Sequence, residues 1–519
     1  MSEANRPNIL LITSDQQHWF TLGCLNPKIK TPNLDRLARE GMRFNRAYCT
    51  NPTCTPSRAS ILTGQYPSVH GAWSLGTKLD EDAVMVGDLL SAEGYATHLI
   101  GKAHLQPLAS APDQPSLECQ PTLRDLDFWR SFHGPWYGFE HVEVCRNHAN
   151  ESHVGQHYAI WLEEKGLTDW REYFAPAPGS DHEPKHNPRQ TGKMYGDFEP
   201  AAWELPAELH YTTWTAERTI ANIERAVATD RPFFTWSSFH DPHPPYLVPE
   251  PWASMYDPED MEPGTLEPGE MELMPPFHQL TRQESPDYSP YQECGQGNHG
   301  FKSHLHDTNV LKKNMAIYYG MISFMDEQIG RILDRLDELG VADNTMVVFT
   351  TDHGHFLGQH GLVEKGAFHY EDGIRLPWLV RWPGRTPAGR TSDALQSLAD
   401  LPVSFLGAAG IDAPGRMQGV DQLPVWRGEA ERVREDLIVE MRHQPTAVHL
   451  RTYVTDRYKL TVYRDRDWGE LFDLEEDPEE RRNRFNDPAY AEVRARLFEG
   501  MVNHEMRREP MRFPRIAGA

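Results

Sequence analysis

Four short apolar segments, each followed closely by polar or charged residues, constrain the fold of this chain more than any other feature. The segments are residues 8–14, 97–100, 232–238 and 345–351, and they run into Asp15, Lys102, His240 and Asp352. Helical patterns lie between them at 31–41, 86–92, 213–228 and 315–339. This alternation predicts an α/β fold with a mostly parallel sheet flanked by helices. Functional residues of such sheets gather at the C-terminal ends of the strands, so these polar residues mark a candidate site.

The composition indicates a folded protein whose main partners are neither nucleic acids nor membranes. A length of 519 residues exceeds one ordinary domain, and we expect two. The balance of 51 basic and 76 acidic residues gives a net charge of -25, which disfavours binding to polyanions. The apolar run at 9–12 is too short for a signal peptide or a membrane span, so we expect a cytoplasmic protein.

Two long stretches without a regular pattern, and a change in the secondary-structure pattern near residue 420, suggest the domain organisation. Residues 106–210 and 247–310 read as irregular insertions that form walls or lids over the site. Beyond about 420, strand patterns at 437–441, 446–455 and 458–463 precede a helical pattern at 489–505. We therefore expect a catalytic domain over 1–420 and a small C-terminal antiparallel-sheet subdomain of α+β type over 421–519.

The cysteines are sparse and form no CxxC pair, so neither a disulfide framework nor a zinc cage is indicated. They are Cys24, Cys49, Cys54, Cys119, Cys145 and Cys294. For five of them a small buried or surface thiol is the simplest interpretation. The sixth, Cys54, opens the most specific segment of the chain, CTPSRASILTGQYPSVHG at 54–71.

This segment resembles the signature of the sulfatase family, in which the cysteine is oxidised to Cα-formylglycine by a dedicated enzyme. Two other interpretations exist for the motif alone. A thiolate nucleophile of the phosphatase kind requires cysteine and arginine six residues apart, and Arg58 is only four residues after Cys54. The alternative is a buried structural cysteine before a helix, because short motifs recur by chance.

The hydrate of an aldehyde becomes a useful nucleophile near neutral pH when a metal ion lowers its pKa, so oxygen ligands should converge on Cys54. Asp15 and Gln16 follow the first strand, and Asp352 and His353 follow the late one. In sulfatases the matching positions bind a divalent metal. Many members have Asp-Asp and Asp-Asn where this chain has Gln16 and His353. Because an imidazole suits a transition metal, we expect either Ca²⁺ or Mn²⁺.

The resemblance also implies a set of cations and proton donors that face the metal. GKAHL at 101–105 is similar to the Lys-x-His pair of the family and gives Lys102 on a sulfuryl oxygen and His104 beside the formylglycine. HDPHPPY at 240–246 resembles the PHxP segment and implies His243 as a sulfate-binding or leaving-group residue, with His240 as a spare. The block at 350–384 implies Lys365 at the leaving oxygen, and Arg58 would hydrogen-bond the hydrate.

The resemblance covers residues 7–104, 231–246 and 315–384, and more loosely 453–485. It implies the fold of the alkaline phosphatase superfamily, a large mixed, mostly parallel sheet between helices with a small C-terminal sheet. It also implies hydrolysis of aryl or alkyl sulfate monoesters and maturation by a formylglycine-generating enzyme. In this scheme the hydrate of residue 54 attacks sulfur and His104 later removes the proton that restores the aldehyde. We further expect a homo-oligomer.

Two other functions remain open. A phosphonate monoester or phosphodiester hydrolase can use the same nucleophile and metal, and the Asp-Gln and Asp-His pairs resemble that group as well as choline sulfatases. Lys102 with His104 favours the sulfatases. A catalytically silent binding protein, in which Cys54 is never converted, is the alternative from another class.

Overall fold

The structure is a computed structural model that describes residues 6–146, 153–174, 201–293, 297, 299–443, 447–510 and 515–518. The strands in chain order are Asn8–Ser14 (β1), Met42–Phe44 (β2), Ala47–Tyr48 (β3), Ala96–Gly101 (β4), His141–Val144 (β5), Ala201–Ala202 (β6), Phe233–Ser238 (β7), Leu247–Val248 (β8), Thr345–Thr351 (β9), Phe356–Leu357 (β10), Val363–Glu364 (β11), Arg375–Leu376 (β12), Leu379–Arg381 (β13), Arg390–Ser392 (β14), Gln396–Ser397 (β15), Asp436–Arg442 (β16), His449–Thr455 (β17), Tyr458–Tyr463 (β18) and Gly469–Asp473 (β19).

The α-helices in chain order are Pro32–Glu40 (α1), Cys54–Thr63 (α2), Pro67–His70 (α3), Val86–Ala92 (α4), Leu126–Ser131 (α5), Gln156–Glu164 (α6), Tyr211–Ala228 (α7), Pro276–Leu280 (α8), Thr308–Glu338 (α9), Glu371–Ile374 (α10), Asp400–Ala409 (α11), Leu423–Trp426 (α12) and Ala491–Arg507 (α13). Within the described ranges, no helix has the length and apolar character needed to cross a bilayer.

An eight-stranded sheet forms the centre of the molecule, with the order β14-β2-β13-β9-β1-β7-β4-β5. The five strands from β9 to β5 are parallel, and β13 runs antiparallel to β9 on one side and to β2 on the other. The predicted α/β class with a large mixed, mostly parallel sheet is confirmed. The four strands that were predicted to end in chemically active residues are direct neighbours, β9-β1-β7-β4, so their C-terminal ends meet at one edge.

Two hydrophobic layers cover the faces of this sheet. All seven residues of β1 and all seven of β9 are buried, as expected for central parallel strands. One layer includes Leu10 and Ile12 with residues of α1, α7 and α9. The other includes Ile9 and Leu11 with residues of α2, α4 and α11. Helices therefore cover both faces of the sheet, and the site lies at its edge.

Glycine shapes one strand end that delivers a candidate site residue. Gly101, the last residue of β4, has φ +105°, and a Cβ built there would lie 2.0 Å from the carbonyl oxygen of Ser238. No larger residue fits both the backbone angle and the close approach to β7. The turn then places Lys102 directly above the edge of the sheet.

The C-terminal part carries a four-stranded antiparallel sheet, β16-β17-β18-β19, followed by α13. The antiparallel strands and terminal helix expected beyond residue 420 are present, whereas β19 was not foreseen; the domain boundary itself stays a prediction. The sheet contacts the first half of the chain, since Glu440 N donates to Thr50 O at 2.8 Å.

The prediction that residues 106–210 form an irregular insertion is wrong in part. It contains α5, α6 and β5, the last of which forms the edge of the central sheet. The pattern is short there, so tertiary pairing decides the strand. Residues 147–152 and 175–200 lie outside the described ranges.

Candidate active site

The two carboxylates predicted at neighbouring strand ends lie together around one guanidinium group. Ser14 of β1 pairs with Thr351 of β9, so Asp15 and Asp352 follow at adjacent positions. Arg58 Nε donates to Asp352 Oδ2 at 2.9 Å, and Arg58 Nη2 donates to Asp15 Oδ2 at 3.0 Å. All three side chains are fully buried. Arg58 therefore engages one oxygen of each carboxylate and leaves both Oδ1 atoms for other partners.

Cys54 is the first residue of α2, and its thiol lies inside this cluster. Its Sγ is 3.1 Å from His353 Nε2 and 3.8 Å from Asp15 Oδ1. One ligand atom from each of Asp15, Cys54, Asp352 and His353 lies within 4.8 Å of the others. Two carboxylates, an imidazole and a sulfur in this arrangement form a possible metal site.

Gln16 adds a further oxygen whose orientation is set by its neighbours. Its backbone N donates to Asp352 Oδ1 at 3.1 Å, and its side-chain Nε2 contacts His355 Nδ1 at 2.9 Å. The other ring nitrogen of His355 contacts the hydroxyl of Tyr246 at 3.1 Å. With Nε2 directed at His355, Gln16 Oε1 is left buried and without a hydrogen-bond partner among the described residues. An unpaired buried oxygen beside two carboxylates fits a divalent cation, so the donor set is suited to a metal ion.

Two lysines and one histidine surround the thiol on its other sides. Lys365 Nζ is 3.0 Å from Cys54 Sγ, 3.2 Å from His353 Nε2 and 3.3 Å from His243 Nε2. Lys102 Nζ forms an ion pair with Asp15 and lies 4.0 Å from the thiol. The structure thus brings Lys102, His243 and Lys365 to one cluster from three separate loops.

The charges of this cluster favour an anion at position 54. Burial and Asp15 act to raise the pKa of the Cys54 thiol, but Lys102, Lys365 and His353 outweigh them and hold it below its ordinary value. Burial acts to lower the pKa of Lys365, yet the thiolate and the nearby carboxylates raise it above its ordinary value. Burial also keeps the pKa of Lys102 below its ordinary value, although Asp15 opposes this. An oxyanion at position 54 would therefore lie beside an ammonium group.

His104 is held by the loop that follows β4. Its backbone N donates to Glu118 Oε1 at 2.8 Å, and the next two amides, of residues 105 and 106, donate to Oε2 at 2.8 and 2.7 Å. The residue has φ 56°, which a non-glycine residue adopts only when its surroundings enforce it. Burial, with Arg146 and Lys102, holds the pKa of His104 well below its ordinary value. These surroundings favour the neutral form of its imidazole over the imidazolium.

The remaining histidine and the other cysteines have separate surroundings. His240, the spare of its segment, contacts the carbonyl oxygen of Cys145 at 2.7 Å. Cys49, Cys119 and Cys145 are buried and form no disulfide within the described residues, Cys24 is exposed, and Cys294 lies outside the described residues. Only Cys54, among the described cysteines, is grouped with possible metal ligands.

A comparison with known protein families supports one assignment. The family model described as Sulfatase matches residues 7–411, which is more than half of the chain. The chain belongs to the sulfatase family. A second model, described as the C-terminal part of N-sulphoglucosamine sulphohydrolase, matches residues 358–507 of this sulfatase and includes its four-stranded sheet. The resemblance of the motifs is thereby confirmed, and the chain is a sulfuric ester hydrolase.

Individual relatives of this sulfatase include one curated enzyme and two solved structures. An arylsulfatase from Clostridium perfringens is 29% identical over 495 residues, covering 94% of this chain and 92% of the relative. A phosphonate monoester hydrolase from Silicibacter pomeroyi is 25% identical with a TM-score of 0.76, covering 98% and 96%. The phosphonate monoester hydrolase of Agrobacterium radiobacter is 24% identical with a TM-score of 0.77, covering 99% and 98%, and it supports the fold.

Sequence reasoning missed three residues of the sulfatase that support the site. Ser238 Oγ accepts from Arg58 Nη1 at 2.7 Å, Glu118 holds the loop of His104, and His355 orients Gln16. His355 was available as the second histidine of the DHGH segment. Nothing in the sequence marks Glu118, because its partners are backbone amides.

Proposed function

We propose that this sulfatase hydrolyses sulfate monoesters of aryl or alkyl alcohols and that Cys54 is the precursor of its nucleophile. The observation that carries the proposal is the position of Cys54 Sγ, 3.1 Å from His353 and 3.0 Å from Lys365 within one buried cluster. A thiol in this position is surrounded by the groups that an attacking oxygen requires. The proposal includes its oxidation to Cα-formylglycine by a formylglycine-generating enzyme.

Asp15, Gln16, Asp352 and His353 would hold one divalent cation next to residue 54. When bound, this ion would supply Lewis acidity and lower the pKa of a hydroxyl group beside it. The carboxylate and amide oxygens suit Ca²⁺, and the imidazole favours Mn²⁺, so we propose one of these two ions. Arg58 would keep the two carboxylates in position through its hydrogen bonds to their Oδ2 atoms.

The remaining residues would bind the substrate and move protons. Lys365 and His243 lie 3.3 Å apart and would act at the departing alcohol oxygen, where one of them donates a proton. Lys102, whose ammonium group also pairs with Asp15, would neutralise charge on a sulfuryl oxygen. The neutral imidazole of His104 would accept a proton in the later step that regenerates residue 54.

Mass spectrometry and one variant test the role of Cys54. The tryptic peptide that contains it should be lighter than encoded by the difference between a thiol and an aldehyde. Cys54→Ala should abolish turnover of an aryl sulfate, whereas the exposed Cys24→Ala should retain it. A fully active protein with an unmodified thiol at position 54 would contradict the proposal.

A phosphonate monoester or phosphodiester hydrolase is the second candidate. It is favoured by the Gln16 and His353 donors and by the likeness to the Silicibacter pomeroyi structure. The ratio of kcat/KM for a sulfate ester and a phosphonate ester with the same aryl leaving group distinguishes the two. We expect a ratio above one for a sulfatase, and a ratio below one would favour the alternative.

We also propose a homo-oligomer and a cytoplasmic location. Light scattering of the purified full-length chain measures the oligomeric state. A mass of one chain over the working concentration range would contradict the oligomer.

A further inference from the structure

A cavity of about 890 Å³ lies outside the candidate active site, and its lining is unusually rich in arginine. The arginines that line it are Arg43, Arg46, Arg375, Arg390, Arg432 and Arg434. None of the residues assigned above to the metal or the nucleophile contributes to this lining. In a chain with a net charge of -25, such a local concentration of cations runs against the overall charge.

The cavity lies at the same edge of the central sheet as the active site. The strand β2 runs parallel to β1, and Asn45 and Arg46 follow its C-terminal end as Asp15 follows that of β1. The two strands are three positions apart in the order β2-β13-β9-β1. At about 4.8 Å per strand, this places them roughly 14 Å apart. A ligand in the cavity would thus occupy a site distinct from residue 54.

Three of the six arginines form ion pairs with carboxylates. Arg432 pairs with Asp456 at 2.6 Å, and Arg434 pairs with Asp400 at 2.5 Å. Arg46 donates to the backbone carbonyl oxygen of Asp456 at 2.5 Å. These contacts hold the wall of the cavity together and leave less of their charge for a ligand.

The other three arginines have no carboxylate partner among the described residues. Within the described ranges, the hydrogen-bond acceptors of Arg43 are neutral oxygens, those of Asn45 at 2.5 Å and Thr391 at 3.5 Å. Arg375 and Arg390 have no hydrogen-bond acceptor in the described part of the chain. Their donors are available to an anion that enters the cavity.

Arg375 is held in a fixed orientation by an aromatic ring. Its guanidinium carbon lies 3.8 Å from the ring centroid of Trp19. The indole Nε1 donates to Asp372 at 3.1 Å, which fixes the ring itself. Stacking uses the face of the guanidinium group and leaves its in-plane N–H groups free to bind an oxyanion in a bidentate manner. Arg43 and Arg375 also line a smaller neighbouring cavity, so they lie near each other.

Carboxylates of the lining do not cancel these charges. Glu371 is paired with Lys459 at 3.2 Å, and Glu475 is paired with Arg457 at 3.2 Å. Asp456 is bound by Arg432, as described above. Asp393 and Glu431 remain without a basic partner among the described residues, against the three available arginines. The cavity therefore keeps an excess of positive charge and guanidinium N–H groups that can donate hydrogen bonds to a ligand.

We propose that this cavity binds a tetrahedral oxyanion, a sulfate or phosphate group, through Arg375, Arg43 and Arg390. The cavity volume is within the range of small-molecule sites, which is about 300–1,000 Å³. It is far larger than one free oxyanion, which favours an anionic group carried on an organic molecule such as a sugar. The proposal does not depend on the reaction proposed for residue 54.

Calorimetric titration of the full-length Cys54→Ala variant, in which turnover is removed, tests this site. The probes are glucose 6-sulfate, inorganic sulfate and glucose. Arg375→Gln and Arg43→Gln should each weaken binding of the charged probes at least tenfold, and Arg375→Lys should give an intermediate effect because it keeps the charge without the planar fork. Arg496→Gln, an arginine exposed on α13, is the matched control and should leave binding unchanged.

The comparison of probes identifies the ligand. Tighter binding of glucose 6-sulfate than of inorganic sulfate supports a sulfated organic ligand, and equal binding supports the free anion as the ligand of the same arginines. Glucose should not bind. If both arginine variants melt at the temperature of the parent protein and bind the charged probes with unchanged affinity, the proposal is wrong.

Discussion

At the scale of single residues, the site depends on side chains that set the orientation of other side chains. Gln16 can present its oxygen to a cation only if its amide nitrogen is engaged elsewhere, and His355 accepts from that nitrogen at 2.9 Å. His355 is itself stacked on Tyr318, with ring centroids 4.9 Å apart. Tyr318 in turn donates to the backbone carbonyl oxygen of Gln16 at 2.9 Å. Mutation of residues that orient metal ligands through hydrogen bonds commonly lowers metal affinity by 10-fold to 100-fold.

His355→Ala should therefore weaken binding of Mn²⁺ to the metal-free protein by about tenfold or more. His355→Phe retains a ring for stacking but not the acceptor, and it should lose as much affinity as the alanine variant. His355→Asn supplies an acceptor near the position of Nδ1 and should recover part of the affinity. Metal titration, with metal content measured after dialysis, checks the series. Unchanged affinity in the alanine and phenylalanine variants would show that His355 does not orient Gln16.

At the scale of elements, the strands deliver the functional residues and the loops fix their conformation. The turn after β4 is held by one carboxylate, because Glu118 accepts from the backbone N of His104 and of the two residues that follow. Arg146 lies 3.4 Å from the same carboxylate. Three buried amides converging on one side chain explain how His104 keeps a φ of 56°.

Glu118→Ala should destabilise the fold by at least about 1–3 kcal/mol, because it leaves buried amides without an acceptor. It should also lower kcat for an aryl sulfate more than it changes KM, because the turn positions His104, which we propose as a proton acceptor. Urea unfolding and steady-state kinetics measure the two effects. The exposed Glu259→Gln, which pairs with Lys312 at the surface, should change neither quantity. Wild-type kinetics in a correctly folded Glu118→Ala protein would contradict the role of the turn.

At the scale of the whole molecule, buried histidines connect stability to pH. His98 and His157 lie near the β4 and β5 edge of the sheet, where burial lowers the pKa of His98 to about 3 and that of His157 to about 4. His133 and His141 stack in parallel beside them, with centroids 5.1 Å apart, and Glu143 is the nearest acidic group. These folded-state pKa values lie below the unfolded value of about 6.5. At a pH between the folded and the unfolded pKa, the unfolded chain therefore binds more protons than the folded chain.

These histidines should therefore make their full contribution to the free energy of unfolding above about pH 6.5. That contribution should fall as the pH decreases towards 4. His157 alone should contribute about 3 kcal/mol to this change, because its pKa is about 4 in the folded protein and about 6.5 in the unfolded chain. Urea unfolding between pH 4 and pH 8 measures the slope. His157→Asn should give a shallower dependence than the parent protein. An equal slope in both proteins would show that His157 does not contribute.

The amino-acid pattern was sufficient to predict the type of the long elements and the family of the protein. Uninterrupted apolar runs such as Asn8–Ser14 and Thr345–Thr351 have few alternatives to a buried strand, so their bounds follow closely from the pattern. The motifs around Cys54, Lys102, His243 and Lys365 were interpreted as one group through their resemblance to the sulfatase family, and the structure places these side chains in one cluster. The roles of these residues stay predictions.

Features that depend on contacts between distant segments could not be predicted in this way. Short strands such as β5 and β13 exist because neighbouring strands pair with them, and their own residues carry no clear pattern. The same holds for His355, Glu118 and the arginine-lined cavity, because their roles depend on the atoms that they contact in the folded protein. Hydrogen bonding and charge pairing act through space, and the order of residues along the chain specifies such neighbours only after the sheet has brought its strands together.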